Sequence, residues 1–199
     1  GRDVGYTIAV DTVASVYVTG RYENAGTFGN FTLPKNGEME MFIAKYDSAG
    51  NILWAKNGGG DGYDFGRGIV VGEAGNVYVT GSFRGTATFG TNTVVSVGQG
   101  DSFLAKYDGA GNALWIRHNG GSGAYDEGNG IARDQAGNLY VTGRFQGTAS
   151  FGTTSLVSSG AEDVFVAKYN SEGNSIWARR GGGGGSDWGY GVTVDSTGN

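Results

Sequence analysis

Apolar and polar residues alternate along this chain in short blocks, many of them closed by glycine, aspartate or asparagine. Blocks rich in Val, Ile, Tyr, Phe, Trp and Thr suit pleated, half-buried strands. Four kinds of block follow one another in fixed order. Strand A covers Tyr6–Asp11, Arg67–Gly72, Asn129–Asp134 and Tyr190–Asp195, and strand B covers Val16–Tyr22, Val77–Phe83 and Leu139–Phe145. Strand C covers Met41–Asp47, Ser102–Asp108 and Val164–Asn170, and strand D covers Ile52–Lys56, Ala113–Arg117 and Ser175–Arg179. Tyr-Val-Thr-Gly at 17–20, Ala-Lys-Tyr at 44–46, Phe-Gly at 28–29 and Trp54 each return at offsets of 61 and then 62 residues. Self-similarity at a fixed period marks a repeat architecture. Units over about 1–61, 62–123 and 124–185 are predicted, with a partial unit over 186–199.

The turns set the topology. Strands C and D are joined by Asp47-Ser-Ala-Gly50-Asn51, Asp108-Gly-Ala-Gly111-Asn112 and Asn170-Ser-Glu-Gly173-Asn174. Strands A and B of the third unit are joined by Asp134-Gln-Ala-Gly137-Asn138. The first residue caps such a turn and the glycine takes the left-handed conformation, so both connections are tight hairpins. A four-stranded antiparallel meander follows, with the longer B–C and D–A loops at its other end. The fold class is therefore all-β, with three full propeller blades plus the first strand of a fourth. Repeat 1 is expected to be irregular: Asp11–Ser15 lacks the turn glycine, Glu40 stands where Asp101 and Asp163 stand, and Pro34 enters its B–C loop.

The segments Gly-Asn-Leu-Tyr-Val-Thr-Gly-Arg-Phe (137–145), Phe-Gly-Thr (151–153) and Asp163–Tyr169 with Trp177 resemble the bacterial SBBP-type β-propeller repeat. The resemblance runs along essentially the whole chain. It implies a secreted or cell-surface setting and a scaffold or binding role.

Composition narrows the choice. The 41 glycines lack the three-residue period of collagen, and with one proline the chain reads as many turns. The net charge of −5 opposes nucleic acid or an anionic membrane as partner. No apolar run reaches the roughly 20 residues of a membrane-spanning helix. Residue 1 is glycine and no signal-like segment opens the chain, so a mature protein or a fragment is expected. Without cysteine there are no disulfides and no thiolate chemistry.

The most regular polar feature is Asp-x-Gly ahead of strand A, at Asp3, Asp64, Asp126 and Asp187. A ring of carboxylates there could bind a cation or sugar hydroxyls. Alternatively, each aspartate accepts backbone N–H bonds in a glycine-rich loop. Repetition in every blade favours the latter. Trp188 differs, because Val4, Phe65 and Glu127 fill its place in the other copies, and it is the candidate ligand-binding residue. The Asp-x-x-Gly-Asn turns offer too few oxygens for a calcium loop. His118, the only histidine, is a poor metal ligand without a second His or a Cys. The glycine tracts at 58–60 and 181–185 lack the Lys-Ser/Thr of a phosphate loop and are read as flexible crossings between blades. Trp54, Trp115 and Trp177 fall inside strands and are expected to pack against an adjacent blade.

No nucleophile–base or histidine–metal set can be assembled, so the expectation is a non-enzyme without cofactor or metal. Its partner is a protein or a glycan at the cell surface. A repeated lectin site on the loop-rich face and a building block of a surface fibre are the alternatives. A strand at 190–195 without its own blade invites self-association or belongs to a longer propeller.

Overall fold

A computed structural model of the chain describes residues 1–123 and 125–195. The first repeat contributes β1 (Val4–Val10), β2 (Val16–Tyr22), β3 (Gly26–Phe28), β4 (Phe31–Leu33), β5 (Glu40–Tyr46) and β6 (Ile52–Gly60). The second contributes β7 (Phe65–Val71), β8 (Val77–Phe83), β9 (Thr86–Phe89), β10 (Asn92–Val95), β11 (Asp101–Tyr107) and β12 (Ala113–Asn119). The third contributes β13 (Glu127–Arg133), β14 (Leu139–Phe145), β15 (Thr148–Phe151), β16 (Thr154–Val157), β17 (Asp163–Tyr169) and β18 (Ser175–Gly181). In each repeat the A, B, C and D strands pair in sequence as an antiparallel meander: β1-β2-β5-β6, β7-β8-β11-β12 and β13-β14-β17-β18. These are propeller blades. The B strands begin and end at the residues their apolar pattern marks, and the hairpin glycines Gly111 and Gly137 have φ of 80° and 88°.

Three expectations change. The B–C connections are not plain loops, because each folds into a small hairpin (β3–β4, β9–β10, β15–β16) turning at Phe-Gly. Ala87, Phe89, Ala149 and Phe151 on these hairpins are fully buried. The tract Gly58–Gly60 is no flexible crossing either. It ends β6 and pairs with β9 of the next repeat through Gly59↔Thr88 and Gly60↔Ala87. Side chains are excluded there: a Cβ on Gly58 would lie 2.5 Å from the Phe89 ring, and one on Gly60 1.7 Å from the Thr86 carbonyl oxygen. Finally, Tyr190–Asp195 is not a strand. It lies against β13, where Asn129 Nδ2 donates to the Gly189 carbonyl at 2.9 Å, and it pairs in no ladder among the described residues. The expected turn at 196–199 lies outside the described residues.

Two apolar cores lie between blades, and a third lies within the first repeat around Tyr22, Phe42 and Ala55. One joins Ile43 and Trp54 of the first blade to Ile69, Val79, Phe89 and Phe103 of the second. The next joins Tyr78 and Leu104 to Ile131, Val141, Phe151 and Phe165. Trp54 is 8% exposed and its Nε1 donates to the Gly109 carbonyl of the following blade at 3.1 Å. Trp115 and Trp177 are only half-buried. Such stacking makes each blade depend on its neighbour, as in other repeat proteins.

Candidate functional site

The D–A crossings bring the chain from the outer strand of one blade to the inner strand of the next. Each is pinned at the residue before its aspartate by a parallel bridge to the preceding blade: Met39↔Tyr63, Gly100↔Tyr125 and Glu162↔Ser186. The following amides continue the anchorage, Asp64 N–H donating to the Met39 carbonyl at 3.0 Å and Asp126 N–H to Gly100 at 2.8 Å.

Two of the four aspartates, Asp64 and Asp126, face inward. Asp64, fully buried, accepts the Gly60 N–H at 2.8 Å and the Arg84 N–H at 3.3 Å. Asp126 accepts those of Gly121 and Gln146, both at 3.0 Å. Asp187 takes the Gly183 N–H at 2.8 Å, and the exposed Asp3 takes that of Glu23 at 3.3 Å. Burial pushes the Asp64 and Asp126 carboxyls up to about 7, against the lowering effect of these N–H bonds. These aspartates lie beneath the surface of the crossings rather than on it.

The residues beside them form that surface. Glu127, 6% exposed, receives Arg67 Nε on Oε1 at 2.7 Å and Arg144 Nη2 on Oε2 at 3.3 Å. Arg144 also reaches Glu162 at 2.5 Å, and the same carboxylate accepts Trp188 Nε1 at 2.7 Å. The guanidinium of Arg67 lies 4.3 Å from the Tyr6 ring centroid and 5.0 Å from that of Phe65, and that of Arg144 lies 4.4 Å from Trp188. Stacked guanidinium and aromatic planes fix one another while leaving ring faces open. Trp188 and Tyr190 stay 45% and 71% exposed, their rings 6.0 Å apart. Two open clefts share Arg67, Glu127 and Arg144. The first, of about 430 Å³, runs to Tyr6, Trp188 and Tyr190, and the second, of about 260 Å³, to Tyr63, Phe65 and Tyr125.

The fold thus separates the residues singled out in the sequence: Trp188 belongs to this rim, Asp64 and Asp126 are buried beneath it, Asp187 is half-buried and Asp3 is exposed. Arg67, Glu127, Arg144 and Tyr190 went unnoticed. For Arg67, Glu127 and Tyr190 the signal was the one that marks Trp188, disagreement between copies: Val4, Phe65, Glu127 and Trp188 share one position, and Tyr6, Arg67, Asn129 and Tyr190 another, whereas Arg144 repeats Arg21 of the first copy and does not stand alone in this way. Chemically the rim offers flat apolar faces edged by paired charges, which suits binding. Among the described residues no group of three or more His, Cys, Asp or Glu could hold a metal ion. No helix there is long and apolar enough to cross a membrane. His118 Nε2 is paired with the buried Asp101 carboxylate.

Residues 114–144 match the family described as SBBP, β-propeller repeat. The chain is also 29% identical over 188 residues to an "Uncharacterized WD repeat-containing protein L264" of Acanthamoeba polyphaga mimivirus, covering 82% of this chain and 13% of that protein. It is 32% identical over 145 residues to the "Regulatory protein FlaEY" of Caulobacter vibrioides, covering 71% of this chain and 15% of that protein. The chain therefore spans a small fraction of the curated relatives it matches.

Proposed function

Since this chain carries SBBP-type β-propeller repeats, we propose that it is a non-enzymatic scaffold that docks a protein partner on the rim formed by its D–A crossings. One observation carries the reading: the rim is where the repeats disagree, while the blade cores and turns recur. A residue needed for folding is repeated in each copy, whereas a residue used for recognition is free to differ. Aromatic and arginine anchors around a desolvated acid are the composition of interface hot spots. The secreted or cell-surface setting belongs to the same proposal.

A photo-crosslinker placed at Tyr190 in the native host, with one at the outer-strand residue Leu53 as control, tests the reading. A discrete protein adduct from position 190 alone is expected, and it should vanish in Trp188→Ala. Equal labelling from both positions, or none from the rim, would sink it.

Exposed Trp188 and Tyr190 beside Arg144 and Asn129 also favour a second reading, a glycan stacked on the rings. In that case an array signal lost in Trp188→Ala replaces the protein adduct. Self-association is a further part of the proposal. Ile8 is 64% exposed, while its counterparts Ile69 and Ile131, covered by the preceding blade, are 3% and 8% exposed. Sedimentation equilibrium of Ile8→Asp against the parent chain tests it, and equal masses at all concentrations would remove it.

A further inference from the structure

At each D–A crossing two carboxyl groups from neighbouring repeats close on one glycine. A Cβ on Gly59 would lie 2.6 Å from Glu40 Oε2 and 2.5 Å from Asp64 Oδ2. One on Gly120 would lie 2.6 Å from Asp101 Oδ1 and 2.8 Å from Asp126 Oδ2, and one on Gly182 2.8 Å from both Asp163 Oδ1 and Asp187 Oδ2. With φ of 142°, 156° and 144°, these three positions also have backbones that suit glycine.

Glu40, Asp101 and Asp163 are each 0% exposed, and in all three the oxygen that faces the pair has no hydrogen-bond partner. Their other oxygen is occupied by backbone N–H groups. Glu40 Oε1 accepts Asn36 at 3.0 Å and Gly37 at 2.6 Å, Asp101 Oδ2 accepts Val97 at 2.7 Å, and Asp163 Oδ2 accepts Ser159 at 2.9 Å. An orphaned, buried carboxylate oxygen turned toward a second carboxylate is costly unless something positive lies between them.

The crossings differ in what answers that charge. Arg180 meets Asp163 at 2.6 Å and His118 meets Asp101, whereas Asn57, a neutral residue, holds the same place at the first crossing. The other charged and titratable groups acting there are Asp61, repelling both acids, Lys35 from the B–C segment, and the Tyr22 phenol from β2. Two carboxyl groups are too few oxygens to enclose a hard cation.

We propose that Glu40 and Asp64 share one proton, Glu40 Oε2–H donating to Asp64 Oδ2, so that a carboxyl–carboxylate hydrogen bond ties the first blade to the second. The proton comes from solvent and returns to it when the pair ionises, leaving two buried anions that repel. The arrangement gives Oε2 the partner it lacks, and Oδ2 already turns one lone pair to the Gly60 N–H.

Burial, with repulsion from Glu40 and Asp61 behind it, raises the Asp64 carboxyl to about 7, and burial raises Glu40 as well. A carboxyl raised in the folded state contributes stability that is fully present below its unfolded pKa and lost as pH rises through about 7. The junction therefore tightens in acid and loosens in mild alkali. Asp64 lies between Tyr63 and Phe65, so the loosening reaches the second rim cleft.

The test is carboxyl-carbon NMR of the full chain, titrated from about pH 4 to about pH 9 to bracket that window. Two signals with midpoints near 7 are expected, from Asp64 and Asp126, and the Asp64 signal alone should vanish in Asp64→Asn. In Glu40→Gln, which puts an N–H donor where the proton was, it should move down toward the ordinary carboxylate range. The melting temperature should fall by several degrees from about pH 5 to about pH 8 in the parent and less in Glu40→Gln. Keeping that fall in His118→Asn supports the assignment to the first crossing. If every carboxyl titrates below about pH 5, or Glu40→Gln leaves both midpoint and slope unchanged, the shared proton is wrong.

Discussion

The junction between the first and second blades and the junction between the second and third are built from the same repeat yet closed by different means. In the first, the strand-D end reads Asn57-Gly58-Gly59, and β6 runs on into a two-pair ladder with β9. In the second it reads His118-Asn119-Gly120, and the ladder shrinks to the single bridge Gly120↔Ser150. Gly58 lets the Phe89 ring settle where a side chain would begin. Asn119, 4% exposed, fills its equivalent position and accepts the Tyr169 hydroxyl on Oδ1 at 3.0 Å. Tyr107, in the same position of the preceding blade and 1% exposed, has a hydroxyl without a partner. Backbone pairing and side-chain bonding are alternatives here, because the glycine that allows one removes the group that makes the other.

The largest difference between the junctions should appear on truncating the tryptophans. Trp54→Ala is expected to cost about 3–5 kcal/mol in urea unfolding, because a buried ring and its bond to Gly109 are both lost. Trp115→Ala, at the half-buried position, should cost clearly less; equal losses would mean that the two junctions are packed alike.

Next come the turn glycines. Gly111→Val meets a left-handed backbone with φ of 80° and a Trp54 ring atom 3.0 Å from the new Cβ. Gly50→Val meets a φ of 85° and open space. Backbone strain alone is worth about 1–2 kcal/mol. The first substitution should therefore exceed the second, and the excess measures how firmly the second blade seats on the first.

The smallest and most discriminating pair reverses sign. Tyr169→Phe strands the Asn119 side-chain Oδ1 and should destabilise by about 1–2 kcal/mol. Tyr107→Phe removes a buried hydroxyl that has no partner and should be neutral or mildly stabilising. Chemical denaturation of both variants reads the difference, and a loss in Tyr107→Phe would show that its hydroxyl has a partner in solution.

Much of this architecture was legible because hairpin chemistry is local. Asp134, Gly137 and Asn138 announce their turn by residue type alone, and Asp134 accepts the Asn138 N–H at 2.8 Å. The small hairpins were not legible, since runs such as Thr86–Phe89 are too short to display an alternation and their burial is decided by another blade. Gly58–Gly60 misled for a related reason. Glycine signals flexibility unless a neighbour fills the space it leaves, and Phe89 and Thr86 belong to the next repeat. Tyr190–Asp195 has the composition of a strand, but a strand needs a ladder partner as well as a pattern. At the rim, Trp188 was found by its variation between copies, whereas Arg67 and Arg144 looked like ordinary surface charges. Only the fold brings both to Glu127.

The ladder from β6 to β9 also bears on how such a chain is made. The outer edge of the first blade is finished by residues from Thr86 onward, well after its own last residue, Gly60, has been synthesised. At translation rates of about 5–20 residues per second, that edge stays open for roughly one to five seconds on the ribosome. During that interval the nascent blade presents an unpaired strand to whatever is near, including another copy emerging from the same message. Glycines at its tip, offering no apolar side chain to grip, make that waiting edge a poor template for the wrong partner.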